Sequence, residues 1–249
     1  MGLPHQSNQQ RITDADPLYR KLHRAFFAVC LLLGPLTMAV WFGTCPQLGD
    51  PGCPNGGSMA VYTAFRTLNP LVMQIFLVAN LLVSYVWPVS YIGLGMIAMK
   101  HSPWLTTIGL AFGLAGGLPF GGVVAAQASL FYGMAQMDYT PLFVTITQHI
   151  PNWMFSTLGL AWGFGHQIGY ILLGIALARS RVVPAWAGWL IVVSVPVMGP
   201  IAYGTHIGLL QVLGFVMVAI GSVPAALAML KLRNGQSSVP LSGEPVPTS

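Results

Sequence analysis

Histidine is the residue type most able to carry chemistry in the apolar part of this sequence. His166 lies at the centre of the run Trp162-Gly-Phe-Gly-His166-Gln167-Ile-Gly-Tyr170. Residues four apart share a face of a helix, so Trp162 and Tyr170 would flank His166. A neutral imidazole there could bind haem iron, relay a proton or hydrogen-bond a ligand, or it could simply bond a neighbouring helix. The candidate ligand-binding residues are Trp162, His166, Gln167 and Tyr170.

A second group of polar residues lies near those ends of the apolar runs that would face the outer side of the membrane. Such a group could hold a metal ion or accept a polar headgroup, although polar and aromatic residues are common at such ends anyway. His149 and His206 would pair on a haem more easily than either would with His166, because both lie near the outer ends of their spans. His166 lies about 17 residues beyond His149, which is roughly 25 Å of helix. The candidate residues of this outer mouth are Asp138, His149, Asn152, Tyr203 and His206.

The polar residues inside the apolar runs are uncharged. No Asp, Glu, Lys or Arg interrupts these runs, which argues against ion-coupled transport and leaves no paired carboxylates for catalysis. Buried amides could fix the register of a bundle or line a weakly polar pocket; they are Gln74, Asn80, Gln127, Gln167 and Gln211. No sequence motif of a hydrolase, metalloprotease or nucleotide-binding protein is present, so we predict no catalytic residues, no metal ligands and a non-enzymatic protein.

The composition defines the elements that must position these residues. Of the 249 residues, 6% are charged and 55% are hydrophobic, whereas ordinary soluble domains carry roughly 25% charged residues. This balance excludes a soluble globular enzyme, a disordered chain and a nucleic-acid-binding protein. The helices that carry the candidate residues must therefore lie in a membrane.

The apolar runs predict an all-α, polytopic bundle of six transmembrane helices. A membrane span needs about 20 apolar residues, and the second run either crosses once with tilt or breaks near Trp87 and Pro88. We expect an N-terminal segment 1–24, a transmembrane domain 25–233 with an outer loop 43–68, and a disordered tail 234–249. The predicted spans are approximately 25–42, 69–99, 103–133, 151–178, 184–203 and 205–230.

The basic residues predict the orientation. Nine of the ten Lys and Arg residues fall on one side of a six-span chain, and only Arg66 falls on the other. Because basic residues concentrate on the cytoplasmic side, we place both termini in the cytoplasm. Anionic lipids are then the partners of these residues. No nucleic-acid partner is expected, and the sequence does not predict an oligomeric state.

Glycines recur at helical spacing in the third and fourth runs. Small residues four apart let two helix backbones approach closely, although they could also clear space for a flat ligand. The glycines concerned are Gly109, Gly113, Gly117 and Gly121, the pair Gly159 and Gly163, and the pair Gly165 and Gly169.

The most recognisable stretch joins the fourth and fifth runs. It runs from Leu173 to Leu190, and in it a helix ending in Leu-x-Arg-Ser leads through Pro184-x-Trp186-x-Gly188 into the next helix. This stretch resembles a broad group of uncharacterised multi-pass bacterial membrane proteins. The resemblance implies a compact bundle in the bacterial inner membrane and transfers no catalytic motif.

These observations favour a protein that binds or senses an apolar or lipid-like small molecule in an intramembrane cavity. One alternative is a b-type haem or quinone redox protein that uses histidine ligands. Another is a facilitative transporter of a neutral small molecule. No cofactor is predicted for the favoured function.

The predicted outer loop carries a candidate disulfide between Cys45 and Cys53. The segment between them contains Gly49, Asp50, Pro51 and Gly52, which favour a turn, and an outer loop lies in an oxidising compartment. We expect alkylation of the denatured protein to modify a pair of additional cysteines only after reduction, measured by intact mass spectrometry. Equal alkylation with and without reduction would exclude the bridge. Cys30, inside the first span, should be modified in both samples.

Overall fold

A computed structural model describes residues 17–45, 66–137, 141, 142, 145, 149 and 152–231. The regular structure of these residues is helical throughout, and no strand occurs among them. The tail 234–249 and most of the predicted outer loop 43–68 lie outside the described residues.

Long helices make up the described chain. Five of them are long and apolar enough to cross a membrane, and α3 is 34 residues long. The chain is thus a multi-pass membrane protein built as a helical bundle. The helices are α1 (Pro17–Thr44), α2 (Pro70–Ala98), α3 (Pro103–Gln136), α4 (Asn152–Arg179), α5 (Ala185–Thr205) and α6 (Leu209–Lys231).

The start of α1 differs from the expectation, and the course of α2 decides between the two alternatives for the second run. α1 begins at Pro17, within the segment 1–24 that we expected to precede it. Basic side chains can extend a membrane helix in this way, because their long aliphatic stems reach back to the interface. α2 continues unbroken through Pro88. The ring of Pro88 packs at Gly117 of α3, 3.6 Å from where a methyl group on that glycine would lie.

α5 changes its winding halfway. It is α-helical over Ala185–Pro196, a π-helix over Val197–Ile201 and α-helical again over Ala202–Thr205. Pro200 has no N–H to donate within the helix, so the hydrogen-bond ladder widens around it. The chain then reverses at His206, whose φ of 57° is left-handed.

The helices form a closed ring. Each packs against its neighbours in the chain, α6 packs against α1, and α2 also meets α4 across the ring. α1 and α2 are antiparallel, because Trp41 stacks on Phe76 at one end while Leu31 meets Gly93 towards the other. The largest fully buried side chains are Trp41, Phe76, Trp87, Tyr91, Tyr170 and Phe215, so the centre of the ring is mainly aromatic.

Glycines allow α3 and α4 to touch backbone to backbone. A methyl group on Gly165 would lie 2.8 Å from the carbonyl oxygen of Phe112, and one on Gly169 would lie 2.7 Å from Cα of Gly113. These two glycines therefore serve close packing. Gly116, which we did not include in the predicted stripe, supplies the α3 contact at Gly165.

The recognisable stretch between Leu173 and Leu190 serves a similar purpose. A methyl group on Gly174 of α4 would lie 2.8 Å from the carbonyl oxygen of Gly188 of α5. Trp186 and Trp189 flank this contact and are exposed. The pattern therefore combines a backbone contact with aromatic residues suited to a membrane interface.

The α3–α4 contact can be tested with Gly169→Ala. The added methyl group must push α3 and α4 apart, and overpacking costs about 1–3 kcal/mol, so we expect the unfolding midpoint to fall by roughly 2–10 °C. Gly204→Ala is the control, because no described atom lies within 4 Å of a methyl group there. Thermal unfolding in detergent measures both variants, and equal midpoints would contradict the close packing.

Candidate functional site

A cavity of about 530 Å³ contains most of the predicted ligand-binding residues. It lies towards the end of the ring where α1 ends and α6 begins. α4 contributes Trp162, His166 and Gln167 to its wall. The other helices contribute Phe42 from α1, Met198, Gly199, Pro200 and Tyr203 from α5, and Gln211 and Phe215 from α6.

Glycines lie on two facing walls of this cavity. Gly159 and Gly163 of α4 line the cavity, and no described atom lies within 4 Å of a methyl group on either. On the opposite wall the π-helical segment of α5 presents Gly199, where a methyl group would lie 2.8 Å from the side chain of Gln167. The pair Gly159 and Gly163 therefore borders open space, unlike the packing pair Gly165 and Gly169.

His166 is buried in the wall, with 4% of its surface exposed. Its Nδ1–H donates a hydrogen bond to the carbonyl oxygen of Trp162 at 2.5 Å, since a carbonyl can only accept. In the neutral imidazole this leaves Nε2 with a lone pair. No described residue forms a hydrogen bond with Nε2. His166 is therefore a hydrogen-bond acceptor at its outer nitrogen.

Aromatic rings hold this imidazole in place. Trp162 stacks on it at a centroid distance of 5.0 Å, and Phe215 stacks at 6.3 Å. Trp87 packs against it at 5.7 Å with a tilt of 58°. These contacts come from three different helices, so the ring orientation depends on the assembled bundle.

Gln211 is the second buried polar side chain of the cavity. Its exposed fraction is 2%, and its Oε1 has no hydrogen-bond partner among the described residues. A buried acceptor without a donor costs about 1–3 kcal/mol. The arrangement therefore suits a bound group that supplies a proton donor.

Tyr170 lies outside the cavity, one turn further along α4 than His166 and Gln167. Its hydroxyl oxygen accepts a hydrogen bond from Nε1–H of Trp87 at 2.8 Å, and both side chains are fully buried. The adjacent Tyr91 donates to the carbonyl oxygen of His166 at 3.3 Å. Tyr170 therefore helps to fix α4 against α2, and Tyr91 holds the backbone of His166.

The structure brings one residue of the predicted outer mouth to the cavity. Tyr203 lines it and is 41% exposed. His206 is exposed at the turn before α6, and His149 is exposed with Nδ1–H donating to the carbonyl oxygen of Thr145 at 2.7 Å. Asn152 begins α4, and Asp138 lies outside the described residues. Within the described ranges no group of three or more His, Cys, Asp and Glu residues is placed to hold a metal ion.

The cysteines lie away from the cavity wall. Cys45 is buried at the end of α1 and takes part in a disulfide bond, whereas Cys30 is free and buried within α1. Cys53 lies outside the described residues, so the predicted pair of Cys45 with Cys53 stays a prediction.

The aromatic and π-helical residues of the cavity wall could not be identified from the sequence. Phe42, Met198, Gly199 and Phe215 carry no signal that distinguishes them from other apolar residues of a span. Pro196 and Pro200 lie within α5 and favour an irregular helix, but they do not indicate which helix faces it. Gln211 was identified as a buried amide, without a location.

The hydrogen bond between Trp87 and Tyr170 can be tested with Tyr170→Phe. The change leaves the indole N–H buried without an acceptor, which costs about 1–3 kcal/mol and should lower the unfolding midpoint by roughly 2–10 °C. Tyr85→Phe is the control, because Tyr85 is 71% exposed. Thermal unfolding of both variants gives the comparison, and an unchanged midpoint for Tyr170→Phe would contradict this role.

Comparison with known proteins adds no relative: no family model, curated protein or solved structure matches this chain.

Proposed function

We propose that this membrane protein binds a neutral, apolar or lipid-like small molecule in the cavity between α1, α4, α5 and α6. The observation that carries the proposal is a cavity of about 530 Å³ whose wall holds two buried polar side chains. Oε1 of Gln211 has no hydrogen-bond partner among the described residues, and His166 uses Nδ1 for the carbonyl oxygen of Trp162. Small-molecule sites typically enclose about 300–1,000 Å³ and combine apolar walls with a few polar groups.

The chemistry of the wall supports a neutral ligand. Among the described residues, no Asp, Glu, Lys or Arg lines the cavity. A charged ligand group would lose its hydration without gaining a counter-charge, which is strongly unfavourable in an apolar site. The aromatic rings of Phe42, Trp162 and Phe215 instead offer large apolar surfaces. The role would be ligand binding, sensing or support of another membrane component, with no catalytic step.

The antiparallel ring supports a particular orientation. Successive helices run in opposite directions, so the basic residues that end α2, α4 and α6 gather at the same end as those that begin α1. On the positive-inside rule this end faces the cytoplasm, and all six helices span the membrane with both termini inside. The cavity would then lie in the outer half of the membrane. The Leu173–Leu190 pattern supports a location in the bacterial inner membrane.

A b-type haem or quinone protein is the second candidate function. The observation that favours it is His166, which lines the cavity and pairs through Nδ1, so that Nε2 could ligate iron or accept a hydrogen bond from a quinol. A Soret band in the absorbance spectrum of the purified protein would support haem, and a colourless protein would exclude it. Facilitative transport of a neutral solute predicts uptake into proteoliposomes that does not respond to membrane potential.

Filling the cavity should weaken binding without unfolding the protein. Gly163→Leu places a side chain into the open space beside Trp162 and His166, so we expect at least about tenfold weaker binding of para-octylphenol to the protein in nanodiscs. Bound probe is quantified by mass spectrometry after capture, with empty nanodiscs subtracted.

Gly133→Leu is the matched control. It makes the same substitution at an α3 position that also has no described atom within 4 Å of a methyl group and does not line the cavity. We expect this variant to bind like the unmodified chain. Equal binding by all three proteins would argue against the cavity as the binding site.

A further inference from the structure

We infer that the ligand of this cavity is a phenol or another ring-bearing alcohol whose hydroxyl group donates a hydrogen bond to Nε2 of His166. The inference rests on the proposed function, because it concerns the ligand of that same site. It adds the chemical class of the ligand and the direction of its principal hydrogen bond.

The tautomer of His166 determines the direction of this hydrogen bond. The Nδ1 proton is committed to the carbonyl oxygen of Trp162 within α4. A neutral imidazole carries one proton, so Nε2 can only accept. A ligand carbonyl, ether or ester oxygen cannot pair with it, because both partners would be acceptors.

Gln211 is buried in the same cavity, and its Oε1 has no hydrogen-bond partner among the described residues. Gln211 lies one turn before Phe215, and Phe215 stacks on His166, so the amide and the imidazole belong to one patch of the wall. This patch presents acceptors that no described residue pairs with a donor. A hydroxyl group meets both needs, because it donates to one acceptor and can itself accept from an amide N–H.

Aromatic rings of the cavity wall indicate the shape of the rest of the ligand. Phe42 and Phe215 stack at 5.5 Å with planes 17° apart, and Phe42 and Trp162 lie within 28° of parallel. His166 and Phe215 differ by 24°. The wall is therefore built from several nearly parallel aromatic rings, a surface that suits a ring-bearing molecule. No charged residue of the described chain lines the cavity, so a neutral hydroxyl fits this wall better than a cationic amine.

The experiment compares three probes of nearly equal size on the full chain in nanodiscs: para-octylphenol, para-octyltoluene and para-octylacetophenone. The phenol can donate a hydrogen bond, the toluene can neither donate nor accept, and the ketone can only accept. We expect the phenol to bind at least about tenfold more tightly than the other two after subtraction of empty nanodiscs, the effect of one buried hydrogen bond.

His166→Phe tests whether this preference depends on the imidazole. The phenyl ring keeps the aromatic packing but removes Nε2, so the three probes should then bind with affinities within about threefold of one another. His149→Phe is the matched control, because His149 is exposed and lies outside the cavity lining, and it should retain the full preference. Gln211→Leu gives a second reading if His166→Phe fails to fold, and it should also reduce the preference for the phenol.

The outcomes separate this inference from the proposed function. If the unmodified protein binds all three probes saturably and equally, the hydroxyl assignment is overturned while the cavity remains a binding site. If the phenol is preferred but both cavity variants keep that preference, the assignment to His166 and Gln211 is overturned. If no probe binds saturably, the proposed function itself fails, and this inference fails with it.

Discussion

The backbone contact between α3 and α4 places the rest of the site. Gly165 and Gly169 of α4 lie against Gly116 and Gly113 of α3 with no room for a side chain. His166 follows Gly165 directly, so this contact sets both the depth of the imidazole and the direction it faces. In a membrane such contacts are the main source of helix association, because lipid chains are as apolar as the helices and burial provides little driving force.

The hydrogen bonds of the bundle show why the cavity is chemically distinct. Hydroxyl groups inside the helices mostly donate to a carbonyl of the preceding turn, as Thr37, Ser90, Ser194 and Ser222 do. Lipid offers no partners for polar groups, so local pairing of this kind is strongly favoured. Two buried side-chain oxygens have no hydrogen-bond partner among the described residues. One is Oε1 of Gln211, and the other is Oγ1 of Thr106, which lies outside the cavity lining. The coincidence of an amide oxygen without a described partner, a histidine and a cavity is what distinguishes this region from ordinary packing.

Glycines illustrate how far a pattern can be interpreted without contacts. The pairs Gly159 with Gly163 and Gly165 with Gly169 have the same spacing on one helix, yet one pair borders a cavity and the other touches a backbone. Tyr170 and His166 likewise share a face by spacing, but Tyr170 meets Trp87 of α2 while His166 meets the cavity. Spacing predicts which side chains point the same way, and it cannot predict what stands opposite them.

The sequence by itself determined the helical class, the approximate limits of the membrane helices and the candidate status of His166. These follow from short-range physics: a span must be apolar for about 20 residues, and a titratable group within it is conspicuous. Only the tertiary structure decided that Phe42, Met198 and Phe215 join His166 around one cavity. It also decided that the π-helical turn at Gly199 faces α4 and that Oε1 of Gln211 has no hydrogen-bond partner among the described residues. These properties depend on which helices become neighbours in the closed ring, and contacts between distant segments leave no periodic signal along the chain.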